Sequence, residues 1–214
     1  MKKTLSILFI TASFFAFAQP KGKTARMAPT VVKGYYIGQK GDTVRGEIQN
    51  NPESEIEFYQ GFMFKKPGAG KLAKIDTKKA KGYGFEGRHF IMVPYDSEKN
   101  VYIEYLVNGR LKFYEYKFPD HKNGQDIINS SYYIQDSQAD DKESELRELK
   151  PISTNFYKKD LKPYMKAQPM TWNDLDKFNF VKDKVVAAIN EFNKFYEAGP
   201  ASEEGEEENS NRND

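Results

Sequence analysis

The chain has 214 residues, 33 Lys or Arg against 31 Asp or Glu, and no cysteine. Without a thiol there is no disulfide, no thiolate nucleophile, no thiolate metal site and no lipid-bearing cysteine of the bacterial lipoprotein kind. The near-even charge falls well short of a nucleic-acid footprint, so no nucleic-acid partner is expected.

Residues 1–18, MKKTLSILFITASFFAFA, pair Lys2 and Lys3 with an apolar run from Leu5 to Phe17 and an A-x-A site at Ala16–Ala18. This is the three-part pattern of a secretory signal peptide, with cleavage between Ala18 and Gln19. The run is shorter than the ~20 apolar residues that a spanning helix needs. The mature chain is therefore expected outside the cytoplasm, in the periplasm, on the outer membrane or secreted, and not membrane-spanning. Residues 19–32 read as a flexible basic lead-in, 33–198 as one domain, and 199–214 as a disordered acidic tail with six acids and one arginine. Residues 19–198 hold 30 basic and 25 acidic groups. A domain of this size buries about 70% of its unfolded surface, enough for a core without disulfides.

Residues 34–50, GYYIGQKGDTVRGEIQN, read as a hairpin turned by Lys40-Gly41 or Gly41-Asp42, because two short Tyr/Ile/Val runs flank a glycine turn. A phosphate loop would need Lys and Ser/Thr after its last glycine and then a helix. Further strands are expected in SEIEFY (54–59), around Ile75, and in KGYGFEG, RHFIMVPY and SSYYIQD. A second hairpin is expected at Asn108-Gly109, with a two-residue loop. That register pairs Val107 with Arg110, Leu106 with Leu111, Ile103 with Tyr114 and Val101 with Tyr116. It places Val101, Ile103, Tyr105, Val107, Tyr114 and Tyr116 on one face, and Tyr102, Leu106, Leu111 and Phe113 on the other. Glu104 and Glu115 then belong near a wet edge. DSQADDKESE reads as a solvated loop, and ELRELKPI as either more sheet or a helical turn.

A short helix is expected through NFYKKDL. A long one follows from Thr171, with Thr171 and Asp174 as a capping box and Gly199-Pro200 as the stop. Leu175, Phe178, Val181, Val185, Ile189, Phe192 and Phe195 recur at steps of three and four and form one apolar stripe over ~35–40 Å. The expected fold class is α+β: a mostly antiparallel sheet, a short helix and a long amphipathic C-terminal helix.

No catalytic motif emerges. Gly82, Gly84 and Gly87 form a literal G-x-G-x-x-G, but a strand follows where a dinucleotide site needs a helix. PGAGK (67–71) lacks phosphate-loop spacing. His89 and His121 are the chain's two histidines, too few for a three-His metal site. His89 beside Phe90 reads as structural, and His121 in PDHKNG as solvated. Asp140-Asp141 lies in a charge run. No cofactor is expected. Tyr102, Tyr105, Tyr114, Tyr116 and His89 are the candidate recognition surface, since tyrosine suits half-exposed faces.

The order of parts, GYYIGQKGDTVRGEI, then GYGFEGRHF, VYIEYLVNGRLKFYEY, SYYIQ, NFYKKDLKPYM and AAINEFNKFY, resembles a broad group of small exported proteins of Gram-negative bacteria. That group is marked by a hydrophobic-Gly-Asp-Thr hairpin and has no assigned activity. The resemblance covers roughly residues 33–197 and implies export and a β-then-α order. It transfers no site, and KAQPMTW departs from the group by lacking the cysteine that many members carry there. The leading expectation is an envelope or secreted protein acting by binding or as a structural component, with an envelope protein or a glycan as partner. The alternatives are a carboxylate-dependent hydrolase of glycan or peptide, and an outer-membrane accessory subunit whose last helix docks on a partner.

Overall fold

A computed structural model describes residues 28–97, 99–166, 168–175, 177 and 179–197. The signal peptide, its Ala18–Gln19 cleavage site, most of the lead-in and the acidic tail lie outside these residues. So does Phe178.

The protein is α+β, as its patterning indicates. Ten strands form one antiparallel sheet: β1 (Thr30–Gly38), β2 (Thr43–Asn50), β3 (Gly61–Lys65), β4 (Ala73–Asp76), β5 (Ala80–Phe85), β6 (Arg88–Pro94), β7 (Asn100–Val107), β8 (Leu111–Lys122), β9 (Gln125–Asp136) and β10 (Lys150–Ile152). Their spatial order is β10-β9-β8-β7-β6-β5-β1-β2-β3-β4. Among the described residues three helices follow: α1 (Tyr157–Met165), α2 (Pro169–Leu175) and α3 (Lys182–Glu197). β1 opens at Thr30, inside the expected lead-in, because Thr30 pairs with Asn50 across the first hairpin.

The register builds two continuous rows. On one face Tyr36, Tyr83, Phe90, Glu104, Glu115 and Tyr132 are successive cross-strand neighbours from β1 to β9. Alternation puts Arg45, Tyr35, Gly84 and His89 together on the opposite face. The first face carries the core. Over β5 and β6, Phe62 stacks on Tyr83 at 4.0 Å and Tyr83 on Phe90 at 4.5 Å, with Phe58 and Tyr59 beside them. Over β8 and β9, Leu111, Phe113 and Ile134 pack with Leu161, Leu175, Val185, Ile189 and Phe192.

Several local expectations are corrected. SEIEFY is not a strand: Pro52 starts a 3-10 segment, Pro52–Tyr59, and its buried Phe58 and Tyr59 drop onto the aromatic face. β3 follows at Gly61. The first turn spans three residues, 39–41, with Gly38 N donating to Asp42 O at 2.7 Å and Gly41 at φ +86° as a one-residue bulge. Within DSQADDKESE, Asp141–Arg147 coil into a 3-10 segment, and the Asp140 carboxylate accepts from Glu143 N. ELRELKPI divides between that segment and β10.

Asn108-Gly109 does not make the two-residue turn. Tyr105 faces Tyr114 and Glu104 faces Glu115, two residues out of the expected register, and a bulge at Leu106 brings Val107 opposite Phe113. The cause lies 82 residues downstream. Asn193 on α3 accepts from Leu111 N at 2.8 Å through Oδ1 and donates to Leu111 O at 2.9 Å through Nδ2. Its side-chain amide occupies the place of a partner strand. Gly109 admits it: a Cβ there would sit 2.4 Å from Asn193 Nδ2. The two-residue turn forms instead at Asn123-Gly124, both at positive φ, between β8 and β9.

The long helix is two helices. α2 begins at Pro169, so Thr171 lies inside the helix rather than capping it, and its Oγ1 is buried without a hydrogen-bond partner. α3 alone, at 16 residues, is about 24 Å long. Leu175, Val185, Ile189 and Phe192 of the stripe are buried, but Val181 and Phe195 are exposed. Val181 precedes α3, and Phe195 sits on its last turn.

Candidate functional site

Five strands and two loops build an open groove of about 560 Å³ on the face opposite the aromatic core. Alternation along KGYYIG and TVRGEIQ projects Lys33 and Tyr35 from β1, and Arg45 and Glu47 from β2, to that face. Lys33 faces Glu47, which faces Lys65 of β3. In the next row Arg45 faces Tyr35, then Gly84, then His89. The β5–β6 turn, Glu86-Gly87, forms one wall and Lys66-Pro67-Gly68 another. Glu86 and Gly87 both take positive φ, 48° and 78°. The literal G-x-G-x-x-G thus runs strand–turn–strand and has no helix N-terminus for a pyrophosphate.

Gly84 seats the central pair. Tyr35 and His89 flank it on β1 and β6, and its missing side chain lets them meet above it, with Tyr35 Oη 2.8 Å from His89 Nδ1. A Cβ on Gly84 would lie 2.8 Å from both His89 Nδ1 and Tyr35 Cε1. Burial pushes the Tyr35 hydroxyl above its usual range, Tyr105 adds to this and Arg45 opposes it. The hydroxyl stays protonated at neutral pH and is hydrogen-bonded to His89.

Four cations line the groove: Lys33, Arg45, Lys65 and Lys66. Lys65 is held by Glu47 at 3.2 Å. Glu86 accepts from Asn50 at 2.9 Å. Among the described residues no carboxylate pairs with Lys33, Arg45 or Lys66. The groove therefore carries a positive surplus with donors ready for an anion.

The expected recognition surface is mostly core. Tyr102, Tyr114 and Tyr116 are 0%, 1% and 5% exposed. Tyr102 turns to the aromatic face and donates to Ala80 O at 3.0 Å. Tyr114 is closed in by Tyr105, at 4.7 Å between rings, and donates to Gln135. His89 is exposed and lines the groove, while Tyr105 is half-buried against Tyr114. Sequence reasoning singled out His89 and missed Tyr35, Lys33, Arg45, Lys65 and Lys66. The period-two pattern of β1 and β2 held the signal for three of them.

Glu104 and Glu115 are not at a wet edge. Both are buried, as direct cross-strand neighbours. Arg88 grips Glu104 through two hydrogen bonds of 2.6 Å, and Tyr59 donates to it at 3.0 Å. Ser130 donates to Glu115 at 2.7 Å, with Lys182 at 3.5 Å. Glu55 joins Arg88 at 3.1 Å to Lys117 at 2.8 Å. Three carboxylates meet three cations, and Arg88 lies over the rings of Phe58, Phe85 and Phe90. Each of the three carboxylates is held by at least one cation. Asp141 pairs with Arg147 at 3.1 Å, and exposed His121 with Asp126 at 3.0 Å at the tip of the β8–β9 arm. No group of His, Asp and Glu suited to a metal occurs among the described residues. None of their helices is long and apolar enough to cross a membrane.

No protein-family model, curated protein or solved structure matches the chain.

Proposed function

We propose that the protein is an exported, non-catalytic binding protein of the cell envelope that holds a carboxylate-bearing glycan in the groove between β6 and β3. One observation carries this reading: three cations without carboxylate partners, Lys33, Arg45 and Lys66, converge on an open groove beside the Tyr35–His89 pair. The volume lies within the ~300–1,000 Å³ typical of small-ligand sites. Tyrosine and histidine offer flat, half-polar surfaces against which a sugar ring can lie. The signal-peptide pattern at residues 1–18 supports the extracytoplasmic setting. The hydrolase alternative loses ground because Glu104 and Glu115, the carboxylates brought side by side, are buried and fully paired.

Oligogalacturonate is the test ligand and a neutral dextran oligomer the control, measured by calorimetry on the mature protein. Oligogalacturonate should bind and weaken as salt rises, and the dextran oligomer should not bind. Exposed ion pairs contribute roughly 0.2–1 kcal/mol each, so K33A/R45A/K66A together should lower affinity about 3- to 160-fold. Equal binding of both sugars, or no loss in the triple variant, overturns the reading. So does turnover of a glycan that vanishes in a folded Glu104→Gln or Glu115→Gln protein.

A further inference from the structure

The groove is a surface seeking negative charge, and the same chain supplies a concentrated source of it. Residues 198–214 follow α3 and contain Glu203, Glu204, Glu206, Glu207 and Glu208 within six positions. Resting on the reading of the groove as an anion site, we propose that this acidic segment docks in the groove of its own chain and competes with the external ligand.

The topology puts the two within reach. Antiparallel pairing places the β5–β6 turn at the same end of the sheet as the β7–β8 connection, since β6 runs from Arg88 alongside a β7 that ends at Val107. Asn193 docks at that connection, so α3 finishes there. Lys33, Glu47 and Lys65 lie at the same end, because Gly34 pairs with Phe85, next to the turn. β8 is four strand positions from β1 and six from β3. At ~4.8 Å per strand this is about 19–29 Å. The eleven residues from Glu197 to Glu208 span at most about 36–40 Å when extended. The chain can round the end of the sheet and lay its glutamates against Lys33, Arg45 and Lys66. The charges match: three cations without carboxylate partners face five carboxylates, and Gly205 in the middle of the run lets the backbone approach closely.

Tethering makes the competition effective, because a covalently attached segment acts at an effective concentration of about millimolar however dilute the protein. The device keeps the groove from gripping incidental anions and yields it to a multivalent polymer that supplies more charges than the tail.

Two measurements on the full-length secreted chain test this. The first is zero-length carbodiimide crosslinking followed by mass spectrometry. Crosslinks from Lys33 or Lys66 to Glu203–Glu208 are expected within one chain. Their absence, or their appearance only between isotopically distinct copies, overturns the proposal. The second is oligogalacturonate affinity of a variant with all five glutamates changed to glutamine. Its binding should tighten by about 3- to 10-fold, and unchanged or weaker binding in a protein that does bind overturns the proposal. The two ideas fail separately: crosslinks without sugar binding sink the glycan reading alone, and sugar binding without crosslinks sinks the tail alone.

Discussion

Replacing Asn193 with alanine tests the reason given for the shifted β7–β8 register. The Asn193 amide is 5% exposed and satisfies both backbone groups of Leu111, itself 0% exposed. The variant orphans a buried N–H and a buried C=O, each costing about 1–3 kcal/mol. Alanine's better helix propensity returns roughly 0.5 kcal/mol. The net loss is about 1.5–5.5 kcal/mol, a large part of the 5–15 kcal/mol a domain possesses. At ~2–4 °C per kcal/mol for this size, the melting temperature should fall by about 3–22 °C. Circular dichroism melts and urea titrations read it. Asn193→Asp adds a sharper signature. At neutral pH it sets a carboxylate oxygen against Leu111 O, so its folded pKa is raised above the unfolded value. The acid form can donate to Leu111 O. The variant's deficit relative to the parent should therefore shrink as pH falls through the raised folded pKa and be smallest below the unfolded value near 4. An alanine variant within ~0.5 kcal/mol of the parent, or an aspartate variant with a pH-independent deficit, refutes the strand-mimic account.

Phe192→Ala should cost about 3–5 kcal/mol as a core truncation, whereas Phe195→Ala, at a position 48% exposed, should leave urea unfolding almost unchanged. Glu104→Ala removes the carboxylate that Arg88 and Tyr59 share, and should cost about 3 kcal/mol, the low end for breaking a buried pair, because Arg88 keeps Glu55. Burial raises the Glu55 carboxyl, but the hydrogen bonds and charges of Lys117 and Arg88 outweigh it and hold the pKa below 4.5. Its contribution is therefore present above about pH 4.5 and lost as pH falls through the lowered folded value. A Glu55→Gln protein should show a flatter acid limb in its urea midpoint than the parent, and identical limbs would contradict this.

The fold was legible where local pattern and tertiary need agree. Period-two alternation placed β1, β2, β7 and β8, and the step of three and four found the buried side of α3. It failed where a distant residue intervened. Asn108-Gly109 and Asn123-Gly124 are the same dipeptide, yet Asn193 takes the first out of a tight turn, and nothing near residue 108 announces this. Glu104 and Glu115 read as wet because charge alternates outward in an isolated hairpin; their burial needs Arg88, Ser130 and Lys182, from three separate elements. SEIEFY has strand composition, but Pro52 and the aromatic floor coil it. For the site, the cations stood in plain alternation, but the Tyr35–His89 contact requires β6 to lie beside β5 and β5 beside β1, an order that skips three strands in sequence.

The two borders of the sheet are short. β10 has three residues with Pro151 at its centre, which offers no N–H to a newcomer. β4 has four residues, and Lys71, Lys74, Lys78 and Lys79 crowd its ends and middle. An approaching strand meets either a missing donor or a knot of like charge. At these two borders the sheet is a poor template for fibre growth, whereas β10 covers only residues 132–134 of β9 and, among the described residues, 125–131 have no strand on that side. For a chain without disulfides, that protection from self-association at high local concentration comes from its edges rather than from covalent bonds.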